Sequence, residues 1–499
     1  MEIQTTKKSR KFKDFADFDN QRQDVGYFLL PFKFHRITPE IEVLVNEVGD
    51  FLLVPNGTAY KIVKREIDKE KNFDLYADLI ANFFISESKV SPLIDVLATR
   101  YRTKKSFLDD FTTLHIFVIT LRCEHTCHYC QVSRVTQDKT KYDMQEVHID
   151  RGIEMMMKSP NPHVTMEFQG GEPLLAFDKV KYAVLKAYEE AEKYNKTITF
   201  VICTNLAVVE REMLEFCKEY NILISTSLDG PDYVHNPNRP RPNKNSFELV
   251  KKGIDLCREV LGFDRVSALM TTTNLSLQYP IEIIDTYIEF GFNSIFLRPI
   301  SPYGFAVHNE KKNKYETDKF LEFYKKGLDY IIELNLNGTY LVEDYARIIL
   351  TKMLTPFPIG YVDLNSPAGL INNAIVFNYN GKVYASDESR MLAEMKDETF
   401  LLGDLTTNSY EDIFYGKKVQ EIAQFWSNES LAGCSDCAFQ SYCGADPVHN
   451  HATQGSMYGY RPTSTFCQRN MEIIRYIFER MYKDKSVENI FRKWASPKR

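Results

Sequence analysis

In LRCEHTCHYC, residues 121–130, a C-x3-C-x2-C spacing is formed by three cysteines, Cys123, Cys127 and Cys130. Three thiolates can ligate three irons of a [4Fe–4S] cluster, which leaves the fourth iron open to a small molecule. The alternative is a structural zinc site, for which His125 and His128 would be extra ligands. Such zinc sites use four closed ligands, usually from paired C-x2-C knuckles. The spacing therefore favours an iron–sulfur cluster with one open iron.

A second motif, TMEFQGGEPLL at residues 165–175, reads as an apolar strand that ends in Gly170, Gly171 and Glu172. Glycines allow the backbone to approach a ligand closely, and a glutamate offers a carboxylate to an ammonium group. Together, the two motifs resemble those of the radical S-adenosylmethionine (SAM) superfamily. The resemblance implies that SAM binds the open iron, that Glu172 holds its amino group, and that Tyr129 lies beside the cofactor. It also implies reductive cleavage of SAM to a 5′-deoxyadenosyl radical.

Size and composition set the protein class. A chain of 499 residues has room for about three domains, and a net charge of −6 argues against broad nucleic-acid binding. The basic N-terminus precedes no apolar core, and no run of eighteen apolar residues follows, so we expect neither a signal peptide nor a membrane span. We predict a cytoplasmic protein. Three cysteines outside the two clusters should be small buried hydrophobic residues: Cys203, Cys217 and Cys257.

Strands and helices alternate through the middle of the chain, which predicts an α/β fold with a parallel sheet and right-handed crossovers. Six such units match the partial (β/α)6 TIM-type barrel of radical SAM enzymes. The motifs follow strand ends, where barrels of this type place their sites. The predicted strands are 115–121, 163–168, 197–203, 222–228, 265–271 and 294–300.

Four segments are predicted along the chain. Apolar runs around Gly49-Asp50 indicate a hairpin, and three short helical patterns follow it, at 57–67, 75–86 and 91–101. Together they suit a winged-helix-like peptide-recognition module. The segments are this module at 1–110, the barrel at 111–310, a helical connector at 311–370 and a C-terminal cluster domain at 371–499.

The C-terminal domain contains a second cysteine set: Cys434, Cys437, Cys443 and Cys467. With His449 and His451 nearby, a zinc ribbon is one interpretation. The set also resembles the SPASM extension of peptide-modifying radical SAM enzymes, which implies an auxiliary [4Fe–4S] cluster without an open iron.

Two departures from the SPASM pattern imply one auxiliary cluster, so two [4Fe–4S] clusters in all. Ser386 and Pro447 stand where a second auxiliary cluster would have cysteines. Asp446 is a minor alternative ligand. Asp387 aligns with an aspartate that acts as a base in one branch of the family, whereas a solvated hairpin aspartate is the plainer interpretation.

Three further residues complete the predicted SAM site. LDGPDYVHNPNRPRP, residues 228–242, resembles a family segment in which a serine contacts the SAM ribose and an arginine its carboxylate. The resemblance assigns these roles to Ser227 and Arg239, and it places Asn205 near the nucleoside. A polar cap at a strand end is the alternative for each residue.

Over its full length the chain resembles the His-Xaa-Ser system radical SAM maturases. The segments that carry this resemblance are 31–37, 45–53, 296–306, 447–459 and 466–470. It implies three partners: a ribosomally made precursor peptide with His-Xaa-Ser repeats, a second radical SAM protein, and an electron donor such as flavodoxin or ferredoxin. Two rival interpretations are a protein-modifying enzyme of the sulfatase-maturase type and a zinc-containing nucleic-acid-binding protein.

Overall fold

A computed structural model describes residues 26–89, 92–130, 138–308, 313 and 315–496. The chain divides after Tyr101 into two compact units. No described helix has both the length and the hydropathy needed to cross a bilayer.

The described part of the first unit contains two small antiparallel sheets and short helices. Its strands are β1 (Phe28–Leu29), β2 (Phe32–Arg36), β3 (Ile41–Asn46), β4 (Phe51–Pro55) and β5 (Ile85–Ser86). Its helices are Thr58–Val63 and Phe73–Ala81, and a third helix, Leu93–Lys104, crosses the unit boundary. One sheet has the order β2-β3-β4, and the other pairs β1 with β5. The predicted hairpin is confirmed, because β3 and β4 pair across a turn in which Gly49 has φ of 85°.

One local prediction in this unit is wrong. Residues 75–86 read as one helix, but the helix ends at Ala81 and Ile85–Ser86 pairs with β1. Phe84 and Ile85 are fully buried in the apolar core of the unit, and their burial there outweighs the local helical pattern.

The second unit is built on a parallel sheet, which confirms the predicted fold class. Five barrel strands lie side by side in the order β10-β9-β8-β7-β6. They are β6 (Leu114–Thr120), β7 (His163–Gly170), β8 (Thr197–Thr204), β9 (Leu223–Ser227) and β10 (Val266–Leu269). The helices that connect and cover them are Lys139–Tyr142, Glu146–Met157, Phe177–Tyr194, Arg211–Glu219, Asp232–Asn238, Ser246–Leu261 and Pro280–Glu289.

The sixth predicted strand is much shorter than expected. Only β11 (Ser294–Ile295) forms, and it pairs with β12 (Val342–Glu343) in a separate two-stranded sheet. Beyond it, Pro299 and Pro302 lack the N–H that a ladder needs. A single backbone hydrogen bond, from Thr272 N to the Arg298 carbonyl at 2.9 Å, joins this segment to the chain after β10.

The C-terminal part continues the barrel sheet. β13 (Ala374–Phe377) pairs in parallel with β6, and β14 (Lys382–Tyr384) and β15 (Leu401–Asp404) extend the sheet antiparallel to eight strands. The remaining helices are Phe305–His308, Thr317–Leu336, Asp344–Leu354, Asp387–Glu394, Tyr410–Tyr415, Lys417–Ala423, Pro447–Gln454, Thr465–Lys483 and Lys485–Ala495.

Candidate active site

A cavity of about 230 Å³ gathers most of the predicted site residues. It is lined by the ends of β7, β8 and β9, the cysteine loop and the helix that begins at Asp387. The predicted residues that line it are Cys123, Cys127, Tyr129, Cys130, Gly170, Gly171, Asn205, Ser227, Arg239 and Asp387. Segments far apart in sequence therefore meet at one place, on the carboxyl ends of parallel strands.

The cysteine loop is tied to its surroundings just before Cys123. Arg122 is 3% exposed and makes a bidentate ion pair with Asp143, at 2.6 and 2.7 Å. Such a pair fixes direction as well as position. The Arg122 carbonyl also accepts a hydrogen bond from Glu172 N at 2.7 Å. These contacts hold the loop against the end of β7.

The three thiols fit an iron–sulfur cluster. All three line one cavity, and each is only partly buried. Burial raises the pKa of the Cys127 thiol to about 12, so a bare thiolate there is unfavourable. A bound cationic metal centre supplies the missing compensation, because metal ligation deprotonates a thiol.

The histidines of the zinc alternative have other partners. Cys123, Glu124 and His125 each place one metal-ligating atom within 4.8 Å of the other two. Both ring nitrogens of His125 are already hydrogen-bonded, however, to Glu124 at 2.8 Å and to Ser246 at 2.8 Å. The other histidine of the loop, His128, contacts Asn313 at 2.5 Å.

The two glycines are required by the protein's own backbone. A Cβ on Gly170 would lie 2.0 Å from the Thr120 carbonyl oxygen, and one on Gly171 would lie 2.1 Å from the Arg122 carbonyl oxygen. Gly170 also has a φ of 146°, which side chains rarely adopt. The close backbone approaches are therefore to the end of β6 and to the start of the cysteine loop. Both glycines also line the cavity, so a close approach to a ligand stays a prediction.

Glu172 is fully buried and does not line the cavity. Its carboxylate accepts hydrogen bonds from Leu174 N at 3.0 Å, from Thr204 Oγ1 at 2.7 Å and from Asn205 N at 2.8 Å. Burial, with Glu124 nearby, raises its pKa to about 8. Glu172 therefore joins the cavity-lining ends of β7 and β8, and contact with SAM stays a prediction.

Arg239 is held by an aspartate that the sequence analysis did not select. Asp229 is fully buried and accepts hydrogen bonds from Tyr129 Oη at 2.5 Å and Arg239 Nε at 3.1 Å. The Arg239 guanidinium also stacks over the Tyr129 ring. Burial alone would lower the Arg239 pKa, but the charges of Asp229, Tyr129 and Cys127 and the hydrogen bond to Asp229 together outweigh it, and the net shift is upward. The DGP segment of the sequence contains this aspartate, and that segment was the signal that could have identified it.

Asp387 also lines the cavity. It is the first residue of the helix Asp387–Glu394, whose N-terminus is capped by a capping box between Ser386 and Ser389, and it pairs with Arg390 at 3.2 Å. The sequence analysis did not select several further lining residues, among them Gln169, Cys203 and Arg298. Cys203 was predicted to be a buried apolar residue, as Cys217 and Cys257 are, but its place in β8 turns it to the cavity.

The four C-terminal cysteines are close enough to interact electrostatically. Burial and the other three thiols raise the pKa of Cys443 to about 12. The polar groups nearby have structural partners. Asp446 caps the helix Pro447–Gln454 through His449 N at 2.8 Å, His449 contacts Thr465 at 3.0 Å, and His451 pairs with an aspartate at 2.7 Å.

Comparisons with known proteins agree with this geometry. The profile of the Radical SAM superfamily matches residues 117–287. A serine-type anaerobic sulfatase-maturating enzyme from Bacteroides thetaiotaomicron is 30% identical over 356 residues, which are 67% of this chain and 80% of that protein.

Two solved structures share the fold. The structure of native anSMEcpe with bound AdoMet aligns with a TM-score of 0.62 at 20% identity, over 76% of this chain and all of that one. Streptococcus suis SuiB bound to its precursor peptide SuiA aligns with a TM-score of 0.50 at 15% identity, over 89% of this chain and all of that one.

Proposed function

Because the chain belongs to the Radical SAM superfamily, we propose that it is an enzyme that takes a hydrogen atom from a ribosomally made precursor peptide and so modifies it. The observation that carries this proposal is the single cavity that contains three cysteines, a glycine-rich strand end and a carboxylate. Its lining combines apolar surface with a few polar side chains, as small-molecule sites commonly do.

Within this cavity, Cys123, Cys127 and Cys130 would hold the SAM-binding cluster. When bound, the cluster and SAM supply a 5′-deoxyadenosyl radical that abstracts hydrogen. Ser227 and Arg239 would bind the ribose and the carboxylate of SAM, and Asp229 orients Arg239 for this. The protein's own task is to place the substrate and to exclude competing reactions.

Asp387 is the proposed base. It lines the same cavity as the cysteines, and its ion pair with Arg390 orients its carboxylate. A carboxylate at this place can accept a proton from a substrate radical that loses an electron. Cys434, Cys437, Cys443 and Cys467 would hold one auxiliary cluster for electron transfer or substrate positioning.

The first unit suits peptide recognition. β2 and β4 each pair only with β3 among the described strands, so each has an edge available. A peptide can add to such an edge through main-chain hydrogen bonds. SuiB, which shares the fold, was solved with a precursor peptide. We propose a peptide with His-Xaa-Ser repeats, a paired radical SAM protein, a flavodoxin or ferredoxin donor, and a cytoplasmic setting.

Co-expression tests this function most directly. A candidate precursor peptide is produced with the parent protein, with the Cys127→Ala variant or alone, and its mass is compared. We expect a mass change only with the parent protein. An unmodified peptide beside active SAM cleavage would contradict the choice of substrate.

Modification of a serine or cysteine in a sulfatase is the second candidate. The 30% identity to the Bacteroides enzyme favours it. The same assay with a sulfatase-derived peptide separates the two, since only one of the peptides should be modified.

Metal analysis distinguishes both radical SAM candidates from a zinc-containing nucleic-acid-binding protein. After anaerobic purification we expect two [4Fe–4S] clusters, about eight irons per chain, with little zinc. Iron, sulfide and zinc are counted by elemental analysis. Near-stoichiometric zinc with about four irons would mean that the C-terminal cysteines bind zinc and hold no auxiliary cluster. About twelve irons would mean that Ser386 and Pro447 do not exclude a third cluster.

Removing the first unit should separate recognition from chemistry. The cut belongs before Leu93, because the helix Leu93–Lys104 crosses the unit boundary and leads into Lys105, which pairs with Glu429 at 2.6 Å inside the second unit. We expect the shortened enzyme to keep peptide-independent SAM cleavage. It should lose about two orders of magnitude in leader affinity, because the strand edges that would bind the leader are removed. Fluorescence anisotropy measures the affinity. An unchanged value would make this unit a structural or partner-docking module.

A further inference from the structure

A second, smaller cavity adjoins the cysteine cavity. Its volume of about 40 Å³ accommodates about three water molecules and is too small for a peptide side chain with its backbone. Arg298 lines both cavities. The carboxyl groups that line the smaller one are Asp363, Glu388 and Asp446.

Two consecutive residues face the two cavities. Asp387 lines the cysteine cavity and Glu388 lines the smaller one. Both belong to the first turn of the same capped helix, so their relative position is fixed by its backbone. The Asp387 charge helps to raise the pKa of Glu388, so the two carboxyl groups are near enough to interact electrostatically.

A groove adjoins the smaller cavity. Its volume is about 460 Å³. The lining residues common to both are Pro299, Ile300, Ser301, Pro302, His449 and Arg469. Shared wall residues therefore place the three spaces next to one another in the order cysteine cavity, smaller cavity and groove.

The charges in the smaller cavity suit proton transfer. Asp363 accepts a hydrogen bond from Tyr361 Oη at 3.0 Å. Burial, together with the nearby Asp363 charge, raises the pKa of Glu388 to about 8 and that of Asp446 to about 7. For Glu388, Asp387 also raises the pKa and Arg298 lowers it. Groups with pKa values near neutrality accept and release protons readily at physiological pH.

We propose that Glu388 and Asp446, with water in the cavity that they line, carry protons from Asp387 to the groove. The inference rests on the proposed function, in which Asp387 is the base. A substrate radical that bears an O–H, N–H or S–H beside the radical carbon loses that proton to Asp387 and one electron to a one-electron acceptor, and a double bond forms between carbon and the heteroatom. The proton passes to Glu388, whose own proton leaves through Asp446, and Asp387 is ready for the next turnover. Glu388 and Asp446 act through Asp387 and are positioning residues.

The test uses the full chain with Glu388→Gln, which keeps the size and polarity of the side chain but cannot carry a proton as a carboxyl group does. We expect peptide modification to slow at least about tenfold at neutral pH, and small proton carriers such as imidazole to restore it. 5′-Deoxyadenosine formation without peptide reports separately on the SAM site. Glu398→Gln is the matched control, since that glutamate is exposed and pairs with Lys382 at 2.5 Å. Asp446→Asn keeps the helix cap and should show the same rescue.

Infrared difference spectroscopy needs neither peptide nor activity. The parent protein should show carbonyl bands of protonated carboxyl groups at neutral pH, and the difference spectrum between parent and Glu388→Gln should show the loss of one of them, while the contribution of Glu172 remains. A parent-like rate in Glu388→Gln, a slow rate that imidazole does not restore, or an unchanged infrared band would each overturn the proton path. A parent protein that cleaves SAM and modifies no peptide counts against the proposed function instead, and the infrared comparison alone then decides the path.

Discussion

Cys127→Ala is expected to lower 5′-deoxyadenosine formation more than about 100-fold, because losing a ligand of the metal costs more than losing a group that only orients a ligand. The cluster would keep two protein thiolates in a cavity where burial already disfavours the thiolate. Formation of 5′-deoxyadenosine under strong reductant, measured by chromatography, is the assay. Iron content should fall by about four per chain.

Cys217→Ala is the matched control for this variant. Cys217 is 1% exposed within the helix Arg211–Glu219 and lines no part of the cavity. Its replacement should leave iron content and SAM cleavage at the parent level. If the two variants cleave SAM equally, the assignment of Cys127 as a ligand is wrong.

Gly171→Ala should damage the site through packing. The new Cβ would meet the Arg122 carbonyl oxygen at 2.1 Å and the Leu121 carbonyl oxygen at 2.6 Å, both of which are backbone atoms that cannot rotate away. Such overpacking costs about 3 kcal/mol. The strain falls on the segment that carries Cys123, so we expect a lower midpoint of thermal unfolding and incomplete cluster loading.

Gly360→Ala offers the comparison, because a Cβ at Gly360 meets nothing within 4 Å and its φ is not in the left-handed region. Unfolding curves and iron content of the two variants are measured together. Parent-like values for Gly171→Ala would show that the loop accommodates the methyl group. A similar loss in both variants would point to a general intolerance of alanine.

Local motifs were enough to predict the chemistry of the site. Ligand spacing in the cysteine loop is a property of ten consecutive residues, and the glycine-rich strand end is equally compact. Short apolar runs separated by helical patterns predicted β6 to β10 closely, because repeated strand–helix units indicate a parallel sheet. The same reasoning failed at the sixth strand, where Pro299 and Pro302 interrupt pairing.

Asp387 is a residue whose surroundings local sequence patterns could not predict. The sequence offered either a base or a solvated aspartate, and the choice depends on β13 pairing with β6, a strand far earlier in the chain. That pairing sets the helix from Asp387 beside the cysteine cavity. Asp229 and Arg298 entered the site in the same way, through contacts between distant segments.

The sequence by itself therefore determined the superfamily, the open cluster motif and the core of the parallel sheet. Only the tertiary structure decided which polar side chains share the cavity and that Glu172 joins two strand ends. It also decided that Gly170 and Gly171 closely approach the backbone at the end of β6 and the start of the cysteine loop. The physical reason is that ligand spacing and strand periodicity are local, whereas burial and hydrogen-bond partners depend on which distant segments pack together.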